Sequence, residues 1–80
     1  MYYTYILYSK KIDRYYIGHS SDLKNRIVCH NKGLVKSTKK GVPWKLIYYE
    51  VFKNKKEAYK RELKIKSYKG GEAFKKLINK

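Results

Sequence analysis

Residues 2 to 9, Tyr-Tyr-Thr-Tyr-Ile-Leu-Tyr-Ser, are dense in aromatic and β-branched types with no helical break, a composition that predicts a strand. Lys10 to Asp13 interrupt the run with polar residues. Arg14 to His19 (Arg-Tyr-Tyr-Ile-Gly-His) resume it, so the two segments are expected to pair as an antiparallel hairpin with a short connection. Gly18, near the end of the second strand, permits a bend or a close backbone approach. Ser20-Ser21-Asp22 supplies three good N-cap types ahead of a first helix from Leu23 to Asn31, with Gly33 as its stop. Lys36 to Pro43 has little apolar content and reads as a basic loop.

Trp44 to Phe52 reads as a third strand, apolar enough to be expected at the centre of the sheet or covered on both faces. Asn54 caps a second helix that runs to about Ser67, with Glu57 and Arg61 spaced for an exposed i,i+4 pair. Gly70-Gly71 ends it, and Glu72 to Asn79 predicts a short third helix burying Phe74, Leu77 and Ile78. The order β-β-α-β-α-α, with no internal repeat and no linker, defines an α+β class. The expected architecture is one domain over residues 1–80, a small sandwich with a three-stranded antiparallel sheet flanked by helices.

Against this pattern a few polar residues stand in unexpected places. On the first helix Arg26 and His30 lie at i+3 and i+7 from Leu23, at the edge of the stripe that holds Leu23 and Ile27. Each has an ordinary alternative: an Arg stem laid over the core, or a half-buried His. On the second helix Ala58, Tyr59, Glu62 and Ile65 share one face, with Glu62 near its middle. A carboxylate inside an apolar stripe is costly unless it meets a cation, several donors or a metal. Glu62 either neutralises Arg26 or holds a divalent metal beside a phosphate, and its spacing fits both. In the strands, Tyr3, Tyr5 and Leu7 face one side while Tyr2, Thr4, Ile6 and Tyr8 face the other. Most of these tyrosines are expected to be packing residues. A tyrosine among lysines or beside a metal-bound water becomes a credible proton acceptor.

Composition then says what such a site would meet. The 80 residues include 21 Lys or Arg and 6 Asp or Glu, a formal net charge of +15, spread as +7 over residues 1–40 and +8 over residues 41–80. The charge belongs to the fold rather than to a tail, and it points to an anionic partner, nucleic acid above all. With 42% apolar residues and 10 Tyr the chain is too aromatic for a disordered basic arm. Its length allows one small core that buries roughly 60% of the unfolded surface. The lone Cys29 cannot form an internal disulfide, and with Cys29, His30 and His19 alone there are too few ligands for a zinc site. No apolar run approaches the ~20 residues of a membrane span, and no signal-peptide layout opens the chain, so a soluble intracellular protein without a membrane partner is expected.

The order and spacing of these residues resemble the GIY-YIG endonucleases, in particular their small stand-alone bacterial members, the URI-type domains. Tyr3-Thr4-Tyr5 stands at the first motif and Tyr16-Ile17-Gly18 matches the second. Asp22-Leu23, Arg26, His30-Asn31, Gly33, Pro43-Trp44-Lys45-Leu46, Tyr48-Tyr49-Glu50, Ala58, Glu62 and Ile65-Lys66 follow in the small subfamily's order. The resemblance runs from about Tyr3 to Lys66. It departs from the wider family at Tyr3, where the first motif has Gly, and at His19, where some relatives carry a Lys that assists the tyrosine.

The resemblance implies a metal-dependent endonuclease that hydrolyses DNA phosphodiesters to 5′-phosphate and 3′-hydroxyl ends. Either Tyr5 or Tyr16 would be general base, Arg26 would stabilise the charge on the phosphate, and His30 and His19 would assist. Glu62 would ligate one Mg²⁺ or Mn²⁺. Lys24, Lys36, Lys39 and Lys40 are candidate contacts to the nucleic-acid backbone. DNA is the expected partner, branched or damaged DNA and RNA remaining open, with a protein partner or self-association as sources of specificity. A bacterial, cytoplasmic setting follows from the same resemblance. The alternative is a non-catalytic nucleic-acid-binding module that keeps the nuclease fold.

Overall fold

The computed structural model describes residues 1–79. Strands β1 (Tyr2–Ser9), β2 (Arg14–Ser20) and β3 (Lys45–Phe52) form one antiparallel sheet in the order β2-β1-β3. Helix α1 (Leu23–Asn31) follows β2, α2 (Lys55–Ser67) follows β3, and α3 (Glu72–Ile78) follows the break at Gly70-Gly71. The α+β class, the three-stranded antiparallel sheet and the element order are as the sequence predicts.

The central strand differs from expectation. It is β1, paired on both sides, that is covered on both faces; β3 is an edge strand with Tyr49 and Val51 about half exposed. Both strands are apolar enough for the centre, so composition alone could not rank them, and pairing decides. Alternation along β1 divides the core. Ile6 packs with Ile65 of α2 and Phe74 and Leu77 of α3 on one face, while Tyr5 and Leu7 pack with Trp44 and with Leu23 and Ile27 of α1 on the other. Ile6 and Leu7 are wholly buried, each stabilising the fold by about 1.5–3 kcal/mol. Thr4 satisfies its buried hydroxyl by donating to the Ala58 carbonyl at 2.6 Å, which ties β1 to α2.

Local signals place the helix starts. Asp22 Oδ1 accepts from the Asn25 amide at 3.1 Å, and Asn54 Oδ1 from the Glu57 amide at 2.9 Å. Gly33 follows α1 at φ +73°, the left-handed conformation that stops a helix.

Two further expectations are corrected. The basic segment after α1 contains a 3-10 helix, Lys36–Gly41, with Thr38 and Gly41 buried, because Thr38 points inward to polar partners while its lysines stay in water. Arg61 does not pair with Glu57. It reaches across to β3 and donates to the Glu50 carboxylate from both Nε and Nη2, at 2.9–3.1 Å, and Tyr48 donates its hydroxyl to the same carboxylate. The bidentate geometry, largely shielded from water, prevails over a solvated neighbour one helical turn away.

Candidate active site

On the face of the sheet covered by α1, Tyr5 from β1 and Tyr16 from β2 stand beside His30 of α1. The Tyr16 ring centroid lies 4.9 Å from that of His30 and 6.2 Å from that of Tyr5. His30 is completely buried rather than at the rim. Its hydrogen bonds define its tautomer. Thr38 Oγ1 donates to the Val35 carbonyl at 3.3 Å, so it accepts from His30 Nδ1–H at 2.7 Å, and His30 Nε2 is left to accept the Tyr5 hydroxyl at 3.0 Å. Burial, and then the charge of Arg26, push the His30 pKa down to about 4, so the imidazole is neutral.

Burial likewise pushes the Tyr5 phenol up to about 12, against the opposing effect of the nearby Arg26 guanidinium. That same contact, before all other causes, raises the Arg26 guanidinium. The glycine of the second motif makes this possible: a Cβ at Gly18 would lie 2.8 Å from Tyr5 Oη and 2.9 Å from Tyr16 Cε2. Asn31, next to His30, grips the start of β3 by accepting from the Trp44 amide at 2.6 Å and donating to its carbonyl at 3.0 Å. Trp44 Nε1 donates to the Thr38 carbonyl at 2.7 Å, closing a network that fixes His30.

Glu62 comes from α2, on the other face of the sheet. Its carboxylate is buried at 7% exposure, with Oε1 2.6 Å from His19 Nδ1 and Oε2 2.7 Å from Lys66 Nζ. It does not neutralise Arg26; its partners are the His19 imidazole and its own i+4 neighbour Lys66, whose pKa it raises. The two faces meet at one end of the sheet, where Tyr2, His19, Ser20, Ser21, Arg26 and Lys55 line a cleft of about 360 Å³. Glu62 is held by one wall residue, His19, and its charge also adds to the rise of the Tyr5 pKa.

No group of three or more His, Cys, Asp or Glu side chains assembles among the described residues. Glu62 nevertheless fits a hard cation of the Mg²⁺ type, which takes one or two carboxylates and completes its shell with water and substrate oxygens. Each of its oxygens carries one hydrogen bond and keeps a lone pair.

Tyr5, Tyr16, Arg26 and His30 are therefore brought together, with Arg26 reaching the cleft, and His19, which lines the same cleft, is bonded to Glu62 behind it. The proposed backbone lysines are dispersed. Lys36, Lys39 and Lys40 are exposed on the 3-10 segment and do not line the cleft, while Lys24 borders a neighbouring depression that shares Ser21 with it. Sequence reasoning did not single out Thr38, Lys55 or Lys66 as site residues. Lys66 was legible at i+4 from Glu62; Thr38, in a loop-like stretch, carried no signal. Tyr59, expected on the buried face with Glu62, is 47% exposed, because the helix turns it past the edge of the sheet towards His19.

Residues 1–75 match the family model of the GIY-YIG catalytic domain, and the chain belongs to this family of the nuclease superfamily. Among its relatives are small bacterial UPF0213 proteins. It is 45% identical to one from Clostridium perfringens over 82% of this chain and 71% of that protein. It is 44% identical to another from Staphylococcus saprophyticus over 66% of each chain, just under two thirds of that protein's length. The solution structure of a UPF0213 protein from Bacillus halodurans is similar to it at 31% identity, over 91% of this chain and 90% of that one, with a TM-score of 0.49.

Proposed function

We propose that the chain is a divalent-metal-dependent endonuclease acting on DNA. The observation that carries this is the convergence on one cleft of Arg26 with the motif tyrosine Tyr5 behind it, and of the His19–Glu62 pair, inside a chain of net charge +15. In-line displacement at a phosphodiester requires a base for water, a cation at the non-bridging oxygens and charge compensation at the leaving oxygen. Arg26, beside the Tyr5 hydroxyl, supplies the cation. Glu62 would hold a Mg²⁺ or Mn²⁺ ion, the cation type GIY-YIG nucleases generally use, which contributes Lewis-acid charge compensation.

Of the two tyrosines we assign the base to Tyr16. The Tyr5 proton is committed inward to His30 Nε2, and burial makes its phenolate costly. Tyr16, beside it on the same face of the sheet, is only half-buried. His30 is then a positioning residue that holds Tyr5, and through it Arg26, and His19 with Lys66 orients the Glu62 carboxylate. Lys55 at the cleft, with the exposed lysines around it, holds the phosphate backbone without reading sequence.

The experiment is nicking of supercoiled plasmid and cleavage of branched DNA with Mg²⁺ or Mn²⁺, comparing the native chain with Arg26→Ala and Glu62→Gln. Metal-dependent cleavage lost in both variants is expected. A folded native protein that binds these DNAs and cuts none of them would instead make it a binding module.

A further inference from the structure

Beyond the cleft that holds Arg26 lies a second one, of about 500 Å³, lined by His19, Lys55, Lys56 and Tyr59. The two share His19 and Lys55, so they form one continuous surface with Glu62 behind the shared His19. Its wall is unusual for a helix in water. Tyr59 leaves 47% of its surface exposed, and its ring stands 5.3 Å from the His19 ring, tilted at 60°, so the imidazole holds one side of the ring while about half of its surface stays open. Lys55 and Lys56, one turn and just under one turn earlier on α2, are both exposed. An isolated exposed tyrosine is ordinary. One held at a tilt against an imidazole, flanked by two lysines and adjoining the cleft of Arg26 has the composition of a nucleotide site: a flat apolar surface for a base and cations for the phosphate.

We propose that Tyr59, Lys55 and Lys56 form a subsite for a nucleotide adjacent to the scissile phosphate, its base stacked on the Tyr59 ring and its phosphate held by the two lysines. The occupant rests on the nuclease reading only for the position of the scissile phosphate at Arg26. Charge selects it: the shared cleft is lined by Arg26 and Lys55, and no acidic side chain lines either cleft. To stack, the base must leave its neighbours, so the subsite favours substrates in which one nucleotide beside the cut is already unpaired or easily turned out.

The test uses the full chain in EDTA, so that binding is read without cleavage, with DNA oligonucleotides carrying 2-aminopurine at successive positions. Native protein is expected to quench 2-aminopurine at one position, and Tyr59→Ala to abolish that quenching and weaken binding about 5- to 100-fold, the usual range for one base–aromatic stack. Tyr59→Phe, which keeps the ring, should behave as native. The doubly substituted Lys55→Ala/Lys56→Ala chain should lower the slope of log K against log salt by about 1 to 2, while Tyr59→Ala leaves that slope unchanged. Native affinity and quenching in Tyr59→Ala, or a loss in Tyr59→Phe equal to that in Tyr59→Ala, would overturn the subsite. Position-specific quenching by a native chain that cuts no DNA with added Mn²⁺ would uphold the subsite and remove the nuclease reading, so the two fail separately.

Discussion

The Tyr5 hydroxyl donates to His30 Nε2 at 3.0 Å, and so points its proton into the core rather than into the cleft. The two motif tyrosines therefore have different work. Tyr16→Phe removes the base and should reduce cleavage about 10²- to 10⁴-fold. Tyr5→Phe removes the oxygen beside Arg26 and the donor to His30 but no base, and its loss should be smaller by at least about tenfold, since the guanidinium itself remains. Steady-state cleavage by the two variants, each checked for folding, decides the assignment; equal losses would return the base to the pair.

Acid should unfold this protein through His30. Its pKa is about 4 when folded and near 6.5 in an open chain, so between these values the unfolded state binds the extra proton. The depressed pKa means that its stabilising contribution is full above about pH 6.5 and is lost as pH falls through about 4, roughly 3 kcal/mol at most. Urea unfolding from pH 7 to 4 should show the midpoint falling across that window. His30→Gln, which cannot titrate, should be less stable at pH 7 yet show a flatter dependence on pH.

Gly18→Ala tests whether the second motif needs its glycine for space. The added Cβ meets Tyr5 Oη at 2.8 Å and Tyr16 at 2.9 Å, atoms of two packed rings that cannot yield independently. A destabilisation of about 1–3 kcal/mol is expected, together with loss of cleavage. Removing the offending hydroxyl should help, so Tyr5→Phe in the Gly18→Ala background should cost less stability than the sum of the separate substitutions. Strict additivity in a double-mutant cycle would show that the clash is relieved elsewhere.

Glu50 and Arg61 offer the contrasting case, an ion pair between β3 and α2 whose side chains are each about one quarter exposed and which does not line the cleft. Arg61→Met should lower stability by about 1–2 kcal/mol, because it leaves a largely shielded carboxylate with only Tyr48 as donor. Cleavage at a temperature where the variant is folded should be unchanged. A selective loss of turnover would place this pair within the site.

How far the molecule could be read from its residues depended on the range of the interaction. Asp22, Asn54, Gly33 and Gly70 act on their own neighbours, and the helix ends fell where these residues predicted. Strand order is a contest between distant segments; β1 and β3 are similarly apolar, and only the pairing of Tyr5 with both Gly18 and Tyr49 makes β1 central. Glu62 was legible because a carboxylate in an apolar stripe breaks a local rule. Its partners were less so: Lys66 lies one turn away, but His19 is 43 residues distant in the chain. The burial of His30 depended on Thr38, whose segment carried no apolar pattern to announce that it turns inward.

Lys66 places an ammonium 2.7 Å from the oxygen of Glu62 that His19 leaves free, and is itself half exposed. If Glu62 ligates a metal, this ammonium and the ion compete for one carboxylate, because two cations within a few ångströms repel by about 1 kcal/mol in water and several at a partly shielded site. Lys66→Met should therefore tighten Mn²⁺ binding several-fold while loosening the carboxylate's orientation, so the metal concentration for half-maximal cleavage falls and the maximal rate falls with it. Lys66→Arg, which restores the charge, should restore the native metal dependence. Paramagnetic resonance of free Mn²⁺ measures the affinity without turnover. Unaltered Mn²⁺ affinity in Lys66→Met, with Glu62→Gln equally without effect, would remove Glu62 as the ligand.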